Sequence, residues 1–235
     1  MNLLFLVVLL FSNLGSVNRN DSIPENPFWK EYISQLVSLE KKRSEFEFQR
    51  DLILGNKLLS ADQRLQRIGA LDEPGIIRDL ARQYAWAIPD IPALRMLQKH
   101  SPIIEIGAGA GYWAHLLSEM DVDIVAYDDF SWTTRRKLWF PVKRMPIMPP
   151  FERSEPRTLF LCWPPKKTGM ATLTLHNYLV FGGQKVIYVG EYSKDAATAE
   201  PEFFRLLEKH FELIEELEIP TWPGYHDRLF VYQRI

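Results

Sequence analysis

The stretch that most constrains this chain is residues 103–113, IIEIGAGAGYW. Ile103 to Ile106 have the nearly continuous apolar character of a strand buried on both faces. Gly107, Gly109 and Gly111 follow at alternate positions, and a helical pattern from Tyr112 to Met120 begins at once. Glycine permits a tight turn and lets a ligand approach the main chain closely. The helix beyond it points its first amides at that ligand. A strand, a glycine turn and a helix in this order commit the chain to a βα unit.

The rest of the second half repeats the alternation. Val122 to Tyr127 reads as a second strand and Thr158 to Trp163 as another, closed by Pro164-Pro165. Leu173 to Phe181 reads as a helix stopped by Gly182-Gly183, a common way to end one. Lys185 to Val189 reads as a strand, Glu202 to Phe211 as a helix, and Leu213 to Ile219 and Leu229 to Tyr232 as the last strands. Strands that alternate with helices and are nearly continuous in apolar residues form a mostly parallel sheet covered on both faces. Upstream the pattern is helical. Phe28 to about Phe48 carries Tyr32, Leu36 and Leu39 on one stripe, followed by Leu52 to Leu59, Ala61 to Leu71 with Ser60 as N-cap, and Ile76 to Trp86. Such an extension serves as a helical cap on the main domain, a substrate lid or a dimer surface.

The glycine spacing selects among nucleotide-binding units. A dinucleotide fingerprint, G-x-G-x-x-G, needs glycine at position 112, where Tyr112 stands. The pattern present is E-x-G-x-G-x-G, with Glu105 inside the strand. It resembles the first motif of class I S-adenosylmethionine-dependent methyltransferases. The next strand, DIVAYD, ends at Asp128, seventeen residues after Gly111, with Asp129 adjacent. An acid at the tip of such a strand accepts hydrogen bonds from ribose hydroxyls; Asp128 directly ends the apolar run, and Asp129 is the alternative. Further along, LFLCWPP (Leu159 to Pro165) stands where that family places its fourth strand, GGQKVIYVGE (Gly182 to Glu191) where it places its fifth, and RLFVYQR where it places its seventh.

This resemblance covers Tyr84 to Ile235 and implies an α/β fold: a seven-stranded, mostly parallel sheet of class I methyltransferase type with an N-terminal α-helical extension. The implied organisation is a hydrophobic segment over 1–22, a helical extension over 23–83 and a methyltransferase-like domain over 84–235. The implied activity is methyl transfer from S-adenosyl-L-methionine to an acceptor that the sequence leaves unassigned. Cofactor-binding residues are expected at Glu105, Gly107, Ala108, Gly109, Gly111, Tyr112, Asp128, Trp86 and Cys162, and the acceptor beside Trp163, Pro164 and Glu191. The chain departs from the Asn/Asp-Pro-Pro-aromatic motif of amino-group methyltransferases: Trp163 takes the amide position and Lys166 the aromatic one. An amino-group acceptor therefore does not carry over. Trp163 is expected to stack on a planar substrate or on the adenine, or to face the sulfonium. Loss of the amide leaves open an inactive binding protein on the same fold; a nicotinamide oxidoreductase is the more distant alternative.

Other candidates carry weaker signals. Tyr84 and Trp86 stand where they would wall a cofactor pocket or pack the helical cap. Cys162 reads as a buried strand residue, His115 as structural and His226 as a candidate general base. Methyl transfer depends mainly on positioning for in-line attack. Arg135, Arg136, Lys137, Lys143 and Arg144, interleaved with Trp139 and Phe140, read as a solvated face or a grip for a phosphate-bearing or RNA substrate. The 28 Lys and Arg against 30 Asp and Glu leave a net charge of −2, which argues against nucleic acid as a general partner. No His, Cys or Asp spacing suggests a metal.

Cys162 is the single cysteine, which excludes an intramolecular disulfide and fits a reducing compartment. Leu3 to Phe11 is too short an apolar run to span a bilayer, which takes about 20 residues, but suits a signal-peptide core. Against that, no Lys or Arg precedes it and the cleavage pattern around Asn13 and Leu14 is poor. Asn20-Asp21-Ser22 matches a glycosylation acceptor. The cofactor requirement favours the cytoplasm, with the secretory route as the alternative should residues 1–16 act as a signal. Oligomeric state is not legible.

Overall fold

The computed structural model describes residues 24–69, 75–131, 137–146, 149–152, 154–192, 197–222 and 225–235. The apolar run Leu3–Phe11, the Asn20 acceptor pattern, Arg135, Arg136 and the side chains of Leu36 and Leu39 lie outside the described residues.

Among the described residues four helices come first: α1 (Pro27–Gly55), α2 (Ala61–Gly69), α3 (Gly75–Gln83) and α4 (Ile91–Gln98). Then follow β1 (Ile103–Ile106), α5 (Tyr112–Ser118), β2 (Ile124–Asp128), β3 (Lys143–Arg144), β4 (Thr158–Cys162), α6 (Met170–Val180), β5 (Lys185–Gly190), α7 (Pro201–His210), β6 (Phe211–Glu218) and β7 (Arg228–Arg234). The strands form one seven-stranded sheet in the order β3-β2-β1-β4-β5-β7-β6. Neighbours from β3 through β5 pair in parallel, and β7 runs antiparallel to both β5 and β6. This is the seven-stranded, mostly parallel sheet that the alternation of strands and helices predicts. Among the described residues no helix is long and apolar enough to cross a membrane.

Side-chain alternation along the strands sorts the core into two layers. Ile103, Phe160, Ile187 and Val189 pack with Trp113, Trp222 and the N-terminal residues Phe28, Tyr32 and Tyr84. Ile104, Ile106, Leu159, Leu161, Val186 and Tyr188 pack with α6 and α7. Glu105 is two residues beyond Ile103 and therefore belongs to the first layer.

Two expectations change and one holds. The run from Phe28 to Gly55 is one helix, because nothing between Phe48 and Leu52 breaks it; the turn comes at Asn56. Ser60 does cap the next helix: Gln63 donates its amide to the Ser60 hydroxyl at 3.2 Å, and the Gln63 side chain accepts from the Ser60 amide at 2.9 Å. The third strand of the sheet is Lys143–Arg144, taken from the basic run. Both residues are exposed, and the strand exists through backbone pairing with Tyr127 and Asp128, which leaves no apolar trace in the sequence.

Candidate functional site

β1 feeds a connection that leads to β2 on one side, while β4 lies on the other side of β1. Ligands of open α/β sheets bind at such a reversal, outside the carboxyl ends of the strands. A cavity of about 620 Å³ opens there.

The glycine turn builds its floor. Gly107 and Ala108 both donate their amides to the Tyr127 carbonyl, at 2.8 and 3.0 Å, which ties the turn to the end of β2. Gly107, Gly109 and Gly111 all have positive φ, at 77°, 57° and 75°, the left-handed region in which glycine alone is unstrained. A Cβ on Gly109 would meet no atom within 4 Å, whereas one on Gly111 would lie 2.7 Å from Val142 Cγ2 and 2.9 Å from Phe140 Cβ. Gly109 therefore faces open space and Gly111 faces the protein.

Two carboxyl groups stand on this floor. Asp128, buried at the end of β2, accepts the Gly109 amide on Oδ2 at 2.8 Å and the Phe130 amide on Oδ1 at 2.7 Å. Its neighbour Asp129 accepts the Ser131 amide at 2.8 Å. Glu105 also lines the cavity, is 2% exposed, and has an Oε2 with no hydrogen-bond partner. Burial, with the Asp128 charge adding to it, pushes the Glu105 carboxyl up to about 8.

The far wall is aromatic. Trp163 follows β4 at φ 52°, strained for a bulky side chain. Its ring stacks on Trp86, with centroids 5.0 Å apart and planes 9° apart, and Tyr225 meets it at 60°. The Trp163 indole N–H donates to Asp227 Oδ1 at 2.8 Å. Asp227 is buried, and its Oδ2 has no partner. Burial, with Glu191 adding to it, pushes the Asp227 carboxyl up to about 7 against the opposing Trp163 bond.

Trp86 belongs to a strap, residues 83–89, that gives Tyr84, Ala85 and Trp86 to the cavity lining. Trp139 donates its indole N–H to the Gln83 carbonyl at 2.8 Å, Trp222 to Trp86 at 2.6 Å and Trp113 to Ala87 at 3.3 Å. Three tryptophans, one from α5 and two from loops, thus fix one short segment.

Of the residues expected from sequence, the structure brings Glu105, Gly107, Ala108, Gly109, Asp128, Trp86, Cys162 and Trp163 to the cavity. Cys162 is a packing residue, and burial raises its thiol well above the usual range. Four expected residues lie away from the lining. Tyr112 is buried in the helical layer, where its hydroxyl donates to Asn26 Oδ1 at 2.9 Å. Gly111 turns its Cα toward Phe140 and Val142. Pro164 is buried, and its carbonyl accepts the Ala199 amide at 2.8 Å. Glu191 uses its carboxylate to brace loops, accepting the Ala197 amide at 2.8 Å and the His226 amide at 3.0 Å. His226 itself is exposed.

Sequence reasoning passed over Asp227, whose only signal was a carboxylate directly before a strand. It also passed over Met145, Met170, Lys167 and Thr168, which are among the lining residues. In the basic run, Lys137 lies over the Trp139 ring at 3.9 Å and Lys143 over Tyr127 at 5.7 Å. Among the described residues no group of three or more His, Cys, Asp and Glu side chains is placed to hold a metal ion.

No protein-family model matches the chain, and no curated protein matches it. Solved structures do. One is the N-methyltransferase NodS from Bradyrhizobium japonicum in complex with S-adenosyl-L-homocysteine, 13% identical, with 73% of this chain and 97% of that chain covered at a TM-score of 0.43. A second is the magnesium protoporphyrin IX methyltransferase ChlM from Synechocystis with S-adenosylhomocysteine bound, 10% identical, covering 85% and 99% at 0.41. A third is the 1,6-didemethyltoxoflavin-N1-methyltransferase of Burkholderia thailandensis, 17% identical, covering 61% and 77% at 0.40.

Proposed function

We propose that the chain is an S-adenosylmethionine-dependent methyltransferase whose cofactor occupies the cavity beside β1 and whose acceptor enters at the Trp163 wall. The observation that carries this reading is the placement of two carboxyl groups around one glycine turn. Glu105 offers a buried oxygen with no partner, and Asp128 is held to the turn by the Gly109 amide.

The residues present fit the group. The cofactor pairs an ammonium with ribose hydroxyls, and both are donors that seek acceptors. Glu105 is the acceptor for the ammonium, a cation that would also restore its ionised form. Asp128 is the acceptor for the ribose hydroxyls, and the main chain at Gly107, Ala108 and Gly109 admits a ligand at close range. When bound, the cofactor supplies an activated methyl group on a sulfonium.

The chain's own contribution to transfer is placement. Trp86 and Trp163 form a rigid wall that excludes water, the strap at 83–89 holds that wall, and Glu191 fixes the loops after β5. In-line attack needs alignment more than a strong base. On this reading residues 84–235 are the methyltransferase-like domain and 23–83 a helical extension that secures the wall. The cytoplasm, where the cofactor is made, is the matching compartment. The Trp163 position favours one further reading, a protein that keeps the cofactor site and transfers nothing.

Calorimetric titration of the full chain with S-adenosylmethionine, S-adenosylhomocysteine and NAD tests the proposal. Micromolar binding of both sulfur ligands, no binding of NAD, and a loss on the order of tenfold or more in Asp128→Ala are expected. A folded protein that binds neither sulfur ligand would falsify it. Binding with no product on any acceptor leaves the non-transferring reading.

A further inference from the structure

Resting on that reading, we infer that the indole pair Trp86–Trp163 recognises the positive charge on the cofactor's sulfur, and that Asp227 is the positioning residue that holds Trp163 to this task. When the methyl passes to the acceptor, the S–C bond breaks and its electron pair stays on sulfur, leaving a neutral thioether. The pair therefore grips the loaded cofactor and loosens its hold on the spent one.

Glu105 pairs with Phe160 across β1 and β4, so Cys162, two residues on, lies on the face of the sheet that carries Glu105. Trp163 follows it directly. Glu105, Gly107, Cys162, Trp163 and Trp86 all line the one cavity. Burial raises the Cys162 thiol first, and Glu105 and Asp227 add to the rise. Both carboxyls thus lie within electrostatic reach of the end of β4. Each acid is buried and has an oxygen with no partner, and such an acid favours a cation nearby. The cofactor has two cationic centres, an ammonium and a sulfonium. Glu105 answers the ammonium. The sulfonium has no N–H or O–H to donate, so hydrogen-bond acceptors cannot hold it as they hold the ammonium. The face of an indole can.

Trp163 is held against its backbone preference, at φ 52°. Its amide donates to the Val189 carbonyl at 2.8 Å. Its ring stacks on Trp86 with centroids 5.0 Å apart, and the Tyr225 ring meets it at 5.6 Å. Stacking lets a ring slide and turn in its own plane. A hydrogen bond at the rim is directional and does not, and that bond is the one from the indole N–H to Asp227 Oδ1 at 2.8 Å. Trp163 lines the cavity and Asp227 does not, so Asp227 acts through the indole.

Calorimetric titration of the full chain with S-adenosylmethionine and S-adenosylhomocysteine reads the inference as a ratio of two affinities. The ligands differ by one methyl group and the charge on sulfur. Wild type should bind S-adenosylmethionine more tightly, by about fivefold to tenfold. Trp163→Leu should bring the ratio near one chiefly by weakening S-adenosylmethionine, and Trp163→Phe, which keeps a π face, should retain most of it. Asp227→Ala leaves the ring but not its hold, and should lower the ratio. Asp227→Asn, which keeps an oxygen for the indole, should preserve it. Should the alanine variant not fold, Asp227→Leu, close in size and without the buried acid, carries the same expectation. A merely structural Asp227 would weaken both ligands equally and leave the ratio alone. That result, a wild-type ratio near one, or a ratio indifferent to Trp163→Leu overturns the inference while the cofactor reading stands. Failure of both ligands to bind the folded wild type takes both down.

Discussion

The indole N–H of Trp163 donates to Asp227 Oδ1 across 2.8 Å, from the residue after β4 to the residue before β7. The bond links the two strands that flank β5 and holds a bulky residue in the left-handed region. It does so at a cost, because the acid it uses is buried with its second oxygen unpaired.

That cost has a sign in pH. The folded-state pKa of Asp227, about 7, stands above the unfolded value. Its contribution to stability is therefore fully present below the unfolded pKa and lost as pH rises through about 7. Asp227→Asn keeps an oxygen for the indole and removes the titration. The variant should match wild type at and below about pH 4 and exceed it by up to roughly 4 kcal/mol at pH 8, read as urea midpoints. Asp227→Ala removes the acceptor and should destabilise by roughly 1–3 kcal/mol at pH 5, with the near-ultraviolet dichroism of Trp163 changed. Equal pH profiles for wild type and Asp227→Asn would show that Asp227 does not titrate there.

Glu105 obeys the same rule further along the pH scale. Its folded pKa of about 8 is raised by burial and by Asp128, so unliganded stability falls as pH rises through that value. Glu105→Gln should relieve the fall, raising the melting temperature at pH 9 by several degrees, and should weaken S-adenosylmethionine on the order of tenfold. A gain in stability joined to a loss of affinity is what separates a ligand-binding acid from a structural one. Loss of stability in Glu105→Gln at pH 9 would argue that the carboxylate braces the fold. His100 works in the opposite direction: burial, with Lys185 adding to it, lowers its pKa, so its contribution is lost as pH falls below its unfolded value. Measurements above pH 7 separate the two.

Much of this site could be read from the chain because its parts are local. Glu105, the glycines and Asp128 sit on one strand–turn–helix–strand unit, where sequence spacing fixes spatial relation. Tyr112 misled for the same reason: adjacent to the turn, it looked like a pocket residue. Helical rotation carries its side chain into the layer where Phe28 and Asn26 wait, 84 and 86 residues away in sequence. Asp227 and the three tryptophans of the strap were hidden by distance. Each is bonded to a partner 26 to 136 residues off, and nothing local marks such pairs.

Two of the glycines should behave differently when given a methyl group. Gly109→Ala meets no atom but accepts a strained φ of 57°, a cost of roughly 1–2 kcal/mol, and its methyl projects into open space at the cavity. Gly111→Ala adds to the same strain a collision with Val142 and Phe140 at under 3 Å. We expect Gly111→Ala to be destabilised by roughly twice as much or more, and Gly109→Ala to lose more affinity for S-adenosylhomocysteine than its modest unfolding penalty explains. Thermal melts with and without that ligand read both effects. Equal stability losses in the two variants would contradict the placement of Gly111.

The last prediction concerns Asn26, through which the helical extension holds the site. Its Oδ1 accepts the Trp29 amide and the Tyr112 hydroxyl, both at 2.9 Å, and its Nδ2 donates to the Pro89 carbonyl at 2.8 Å. One side chain thus caps α1, grips the helix after the glycine turn and anchors the strap that carries Trp86. Beside it Phe28 stacks on Tyr84 with centroids 4.8 Å apart. Asn26→Ala leaves these groups without partners in a buried setting and should cost roughly 2–4 kcal/mol. Tyr112→Phe removes one of the three bonds and should cost about 1 kcal/mol. The double variant should fall short of the sum, since the Asn26–Tyr112 bond is counted in both singles. Because the strap forms the cavity wall, Asn26→Ala should also weaken S-adenosylhomocysteine in a protein still folded at low temperature, whereas Tyr112→Phe should leave that affinity nearly unchanged. Should Asn26→Ala bind the ligand as tightly as wild type, the extension is a packing element alone and the strap is held well enough by its tryptophans.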